Sequence, residues 1–160
     1  MKNAWMTVVT VLLTATASNT FAADSAADQE QIRRDRLHAA VQEICPVTGQ
    51  KLGSHGEPIK VKIGKEEIFL CCQGCLKKQV DRKHWATIHA NFAKAQGICP
   101  IMKKELPKQP KWTVVEGQIV YVCCPPCTKK IEANPETYLQ KIDELYELYV
   151  ASLKAKTKRR

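Results

Sequence analysis

Eight cysteines carry the chemistry of this chain, and they fall into two matching sets of four. Each set ends in a Cys-Cys-x-x-Cys run, Cys71-Cys72-Gln73-Gly74-Cys75 and Cys123-Cys124-Pro125-Pro126-Cys127. Each run has a Cys-Pro pair upstream, Cys45-Pro46 and Cys99-Pro100. Within a run, Cys72 or Cys71 can clamp one ion with Cys75 across a helical turn, and Cys124 or Cys123 can do so with Cys127. Neighbouring cysteines at a strand end point to opposite sides, so both rarely ligate one metal, and the choice within each pair stays open. Cys45 and Cys99 would close each ring from a separate turn, which makes three thiolates per set. A structural zinc site wants a fourth ligand, commonly a Cys three places after the first, but Thr48 and Met102 stand there. Histidine does not complete both sets, because His38, His55, His84 and His89 all precede the second set, which begins at Cys99. Three thiolates with an open or thioether position suit a soft ion such as Cu(I), whereas four suit zinc. His55 and Met102 are the further ligand candidates; their plainer roles are a solvated loop residue and a core filler.

The elements that must hold these thiols also repeat. An apolar, β-prone run leads into each cluster, Ile68-Phe69-Leu70 and Ile119-Val120-Tyr121-Val122, and a helix start follows. That junction offers free backbone amides and a helix dipole, both of which favour thiolate. Upstream, residues 28–44 read as an amphipathic helix with Ile32, Leu37, Ala40, Val41 and Ile44 on one stripe. Cys45 to Gly49 reads as a tight turn whose amides can point at the sulfur. Strands are expected over 58–63 and 67–71, then a short helix over 73–82 and a longer one over 83–96, closed by Gly97. The second copy repeats the plan with strands over 112–115 and 118–123 and a helix over 126–133. Asn134 and Pro135 then cap and start a long helix with the stripe Tyr138, Ile142, Leu145, Tyr149 and Leu153, a core or partner-helix face.

Cys-Pro, a hairpin, then aromatic-x-Cys-Cys-x-x-Cys resembles the TRASH and YHS-type metal-binding domains. Phe69 to Cys75 carries the pattern, and Tyr121 to Cys127 carries it with Pro in place of Gly. The resemblance covers about residues 44–85 and 98–138. It implies a treble-clef-like hairpin-plus-helix fold, with ligands carried onto Cys45, Cys71 and Cys75 and onto Cys99, Cys123 and Cys127. The first gap departs from the family, with 25 and 23 intervening residues where a shorter spacing is usual.

The expected class is therefore α+β, two small tandem modules flanked by amphipathic helices. A unit of about 50 residues cannot bury a self-sufficient core and needs a metal, disulfides or its neighbour. Met1-Lys2-Asn3, the apolar run from Met6 to Ala17 and Thr20-Phe21-Ala22 read as a signal peptide over 1–22, too short for a membrane span. An N-terminal helix over 23–43, module one over 44–97 and module two over 98–160 follow. The net charge of +9 is weighted toward the tail Lys154 to Arg160, which reads as a solvated helix end. A periplasmic or extracellular protein binding about two zinc or copper ions is expected, possible partners being other metal-handling proteins outside the cytoplasm. Nucleic acid is not expected as a partner, since export removes the target. The rivals are disulfide staples in a small exported interaction protein, and thiol–disulfide exchange at Cys124-Pro125-Pro126-Cys127. No catalytic triad, paired carboxylates or phosphate loop stands out, so no enzyme is expected.

Overall fold

The computed structural model describes residues 20–159, so residues 1–19 of the expected signal peptide and Arg160 of the basic tail lie outside the described residues. The chain runs α1 (Thr20–Gln42), β1 (Ile59–Ile63), β2 (Glu66–Leu70), α2 (Arg82–Gln96), β3 (Lys111–Val115), β4 (Gln118–Val122), α3 (Pro125–Ala133) and α4 (Pro135–Lys158). The architecture is α+β. Each module contributes one antiparallel hairpin, β1 with β2 in the register Val61 opposite Ile68, and β3 with β4 in the register Thr113 opposite Val120. The hairpins touch where the Glu67 N–H donates to the Gly117 carbonyl at 2.7 Å. No described helix is long and apolar enough to cross a membrane.

Helices α1, α2 and α4 pack on one another around Val41, Ile88, Phe92, Ile142 and Tyr146, and this cluster continues into β4 and α3. Fully burying each of these side chains is worth about 1.5–3 kcal/mol, so the three helices supply the core that neither hairpin has alone. A smaller cluster of Cys45, Leu70, Cys71 and Cys75, flanked by Val47, Leu52 and Val61, stands apart from it.

Three local expectations need correction. Residues 73–82 do not form a helix. Only a 3-10 turn over Gln73–Cys75 exists, with Leu76 N–H donating to Gln73 O, before α2 begins at Arg82. The second copy differs because Pro125 and Pro126 occupy the first positions of α3, where a missing N–H costs nothing and the fixed φ favours helix. Second, Ile32 is 47% exposed and Ala40 is also outside the core, while Ala39, Val41 and Gln42 are buried. The first turns of α1 run past the core and meet α4 through polar pairs instead. Arg33 bonds Glu147, and Arg34 Nε lies 3.1 Å from the buried Asp143 carboxylate, which also holds His38 Nε2 at 2.7 Å. Third, Asn134 precedes α4 without a side-chain capping bond. In α4 the buried line is Leu139, Ile142, Asp143 and Tyr146, with Tyr138, Leu145, Tyr149 and Leu153 half-buried beside it.

Candidate metal centres

A buried glutamine sets up each site. At the end of α1, Gln42 donates from Nε2 to Phe69 O (2.7 Å) and Ile44 O (2.9 Å), and its Oε1 accepts from Phe69 N–H (2.8 Å). At the end of α2, Gln96 does the same with Tyr121 O (2.7 Å), Ile98 O (2.9 Å) and Tyr121 N–H (2.9 Å). The side-chain amide thus acts as one residue of extra strand on the outer edge of β2 or β4. Those backbone groups belong to the residue two places before Cys71 or Cys123, so the clamp fixes how the chain enters each cluster. Sequence reasoning missed both glutamines. Their signal was present as Gln-x-Ile-Cys-Pro in both copies, at Gln42 to Pro46 and Gln96 to Pro100.

The Cys-Pro turns are equally matched. Cys45 N–H donates to Gln50 O and Gly49 N–H to Cys45 O; Cys99 N–H donates to Lys104 O and Lys103 N–H to Cys99 O. Isolated bridges, Ile44 with Lys51 and Ile98 with Glu105, close the two loops. This winding turns successive amides inward on one sulfur, a concavity that favours negative charge. Burial pushes the Cys45 thiol up, but N–H groups of Cys71, Thr48 and Val47 and the Thr48 hydroxyl outweigh it and hold it at about 6. At Cys99 burial likewise raises, while the N–H groups of Met102, Cys123 and Ile101 and the Cys123 side chain bring it below its ordinary value.

Three sulfurs converge in each module. Cys45, Cys71 and Cys75 have their Sγ atoms within 4.8 Å of one another, and so do Cys99, Cys123 and Cys127. In the first site Cys45 lies 3.9 Å and Cys71 3.7 Å from Cys75. Sulfurs about 2.3 Å from a common ion at a tetrahedral angle stand about 3.8 Å apart, so the spacing fits a thiolate-bound metal. All eight cysteines are free thiols. Burial pushes Cys75 up to about 12 and raises Cys127 as well. These protons must leave when an ion arrives, which ties uptake to pH.

The fourth cysteine of each set sits outside the triad. Cys72 Sγ is 3.9 Å from both Cys71 and Cys75. Cys124 Sγ is 3.8 Å from Cys123 and 3.0 Å from Cys127. Both are half-buried, whereas Cys45 and Cys99 are fully enclosed. In the first module Cys71 is buried and Cys72 half-buried, and Cys71 is the member of the pair that joins Cys45 and Cys75; in the second Cys123 and Cys124 are both half-buried, and Cys123 is the member within 4.8 Å of both Cys99 and Cys127.

No family model, no curated protein and no solved structure matches the chain. The site therefore rests on its own geometry. The other ligand candidates are not brought in. His55 is exposed in its loop, and Met102 is 47% exposed. Among the described residues, neither triad includes a histidine. His38 pairs with Asp143, His89 Nε2 with Glu66 at 3.2 Å and its Nδ1 with the Tyr121 hydroxyl at 2.8 Å. His84 packs its ring against Gly49, where a Cβ would come within 2.5 Å of Nε2. At the place of the missing fourth Cys, Thr48 instead sets its hydroxyl 3.6 Å from Cys71 Sγ.

Proposed function

We propose that this protein binds, buffers or hands over a soft or borderline transition metal, one ion at each cysteine triad. The observation that carries this reading is the triangular convergence of three sulfurs, twice, on two matched scaffolds, all three buried in the first module and two of the three in the second. Thiolate donors with no oxygen or nitrogen partner favour Cu(I), zinc or another thiophilic ion over hard cations. The resemblance of Phe69 to Cys75 and Tyr121 to Cys127 to the TRASH and YHS-type domains supports the same reading. We place the protein outside the cytoplasm on the sequence of residues 1–22, and assign it binding rather than catalysis.

The test is native mass spectrometry of the reduced full-length protein offered zinc(II) or copper(I), beside Cys75→Ser and Cys127→Ser. Two ions per wild-type chain and one per variant are expected. A chain that stays metal-free with all thiols reduced sinks the reading. One observation favours a second reading: at 3.0 Å, Cys124 and Cys127 are the closest thiol pair described, so exchange chemistry there would show as one disulfide forming first under mild oxidation.

A further inference from the structure

Each cluster contains a second triangle of sulfur. Cys71, Cys72 and Cys75 are separated by 3.9, 3.9 and 3.7 Å, so they form an outer face sharing the Cys71–Cys75 edge with the buried triad. The second module builds the same pair of faces. Cys124 lies 3.8 Å from Cys123 and 3.0 Å from Cys127, and those two belong to the triad with Cys99. The inner corner in each case is the fully enclosed Cys45 or Cys99, while the outer corner is half-buried. Around the outer corner the chain is open: Gln73, Gly74 and Leu76 in one module and Pro125 and Pro126 in the other are exposed. A protein that only stored an ion, or used it as a structural staple, would need neither the second face nor its exposure.

We propose that Cys72 and Cys124 are exchange ligands, through which a cargo ion enters and leaves each site. This rests on the metal-binding reading above. Cys45, Cys71 and Cys75 hold the ion in the closed state. For exchange, Cys72 forms a sulfur–metal bond and releases its thiol proton, while Cys45 gives up its bond and takes a proton. Cys71 and Cys75 stay bound throughout. One bond forms as one breaks, no electron changes hands, and the ion finishes on the face that an acceptor thiol can reach. Cys124 replaces Cys99 in the same way. The ion therefore never falls to two protein ligands, which is what makes a buried site fast to empty.

The experiment uses the full-length protein and the double variant C72S/C124S, each loaded with zinc(II) and, separately, copper(I). Native mass spectrometry counts the ions, and stopped-flow absorbance follows transfer to an excess of a chromophoric chelator. The variant is expected to keep two ions per chain and to transfer them about tenfold more slowly or worse, equivalent to at least about 1.4 kcal/mol on the barrier. An unchanged or faster transfer rate overturns the proposal. Loss of ions from the variant also overturns it, because the outer cysteines would then be permanent fourth ligands. If wild type takes up no ion, the metal reading itself fails and this proposal with it. If wild type loads two ions and only the rate prediction fails, the metal reading survives.

Discussion

At the scale of single residues, the two glutamine clamps and the cysteine charges set what can be measured. Gln42 and Gln96 each satisfy an N–H and a C=O on the edge of a buried strand, and a methionine would fill the space while leaving both unpaired. Gln96→Met is therefore expected to cost about 2–4 kcal/mol in urea denaturation, and Gln42→Met to loosen the first site similarly. A cost under about 0.5 kcal/mol would show that the clamp is decorative. The pH response of the metal-free protein has a definite sign. Cys45 is held at about 6, below its value of 9.0 in the unfolded chain, so it contributes stability fully above pH 9 that is lost as pH falls toward 6. Cys75, pushed up to about 12, works the other way and withdraws stability as pH rises from 9 toward 12. Comparing wild type with Cys45→Ala between pH 9 and 6, the stability gap should narrow on acidification; a gap that widens contradicts the assignment. The cysteine pattern itself was legible because eight identical residues falling into two sets, offset by 52 residues within the Cys-Cys-x-x-Cys runs and by 54 at the Cys-Pro pairs, leave few alternatives. The glutamines were not, because a glutamine at a helix end reads as solvent-facing until a strand edge is placed beside it.

At the scale of elements, the two Cys-Pro turns share a backbone but divide their glycines differently. Both need left-handed residues at two places. The first has Glu43 at φ 66° and Gly49 at φ 70°; the second has Gly97 at φ 65° and Lys103 at φ 52°. A non-glycine residue there costs about 1–2 kcal/mol, so Lys103→Gly is expected to raise stability by about 1 kcal/mol without changing metal uptake. Gly49→Ala carries the opposite expectation and a larger one, since its new methyl meets the His84 ring as well. It should lower the affinity of the first site while leaving the second intact, which ion counting by native mass spectrometry will resolve. Strand and helix placement followed from the sequence to within a residue or two in most elements, since hairpin alternation and helix stripes are local signals. The failed short helix after Cys75 shows the limit. Nothing local distinguishes a 3-10 turn from a helix start there, and the chain was being drawn toward α2, where Asp81 N–H donates to Pro46 O at 3.0 Å.

At the scale of the whole molecule, the sites are not equivalent. Cys99 and Cys127 belong to the main core with Ile131, Val122 and Tyr146, whereas Cys45, Cys71 and Cys75 form the small separate cluster. In the reduced, metal-free protein, Cys127→Ala should therefore lower global stability by about 1 kcal/mol more than Cys75→Ala. Hydrogen exchange should likewise find the amides of β2 opening without global unfolding while those of β4 do not. Equal protection of the two hairpins would refute this division. The sequence could not show it, because the difference lies in which helices cover each hairpin, and that is settled only by packing.

Helix α2 serves both copies: it begins beside the first cluster, and its last residue, Gln96, clamps the strand that feeds the second. The repeat is thus tiled with an overlap, like masonry in which one stone is bonded into two courses. Cutting the chain at the apparent joint after Gly97 would deprive the second half of its keystone. A fragment spanning 98–160 should not assemble its thiol cluster, while one extended back to Asp81 regains the amide that aligns it. By the same logic a lengthened array would need only one further helix and hairpin per added site, each new course resting on the last.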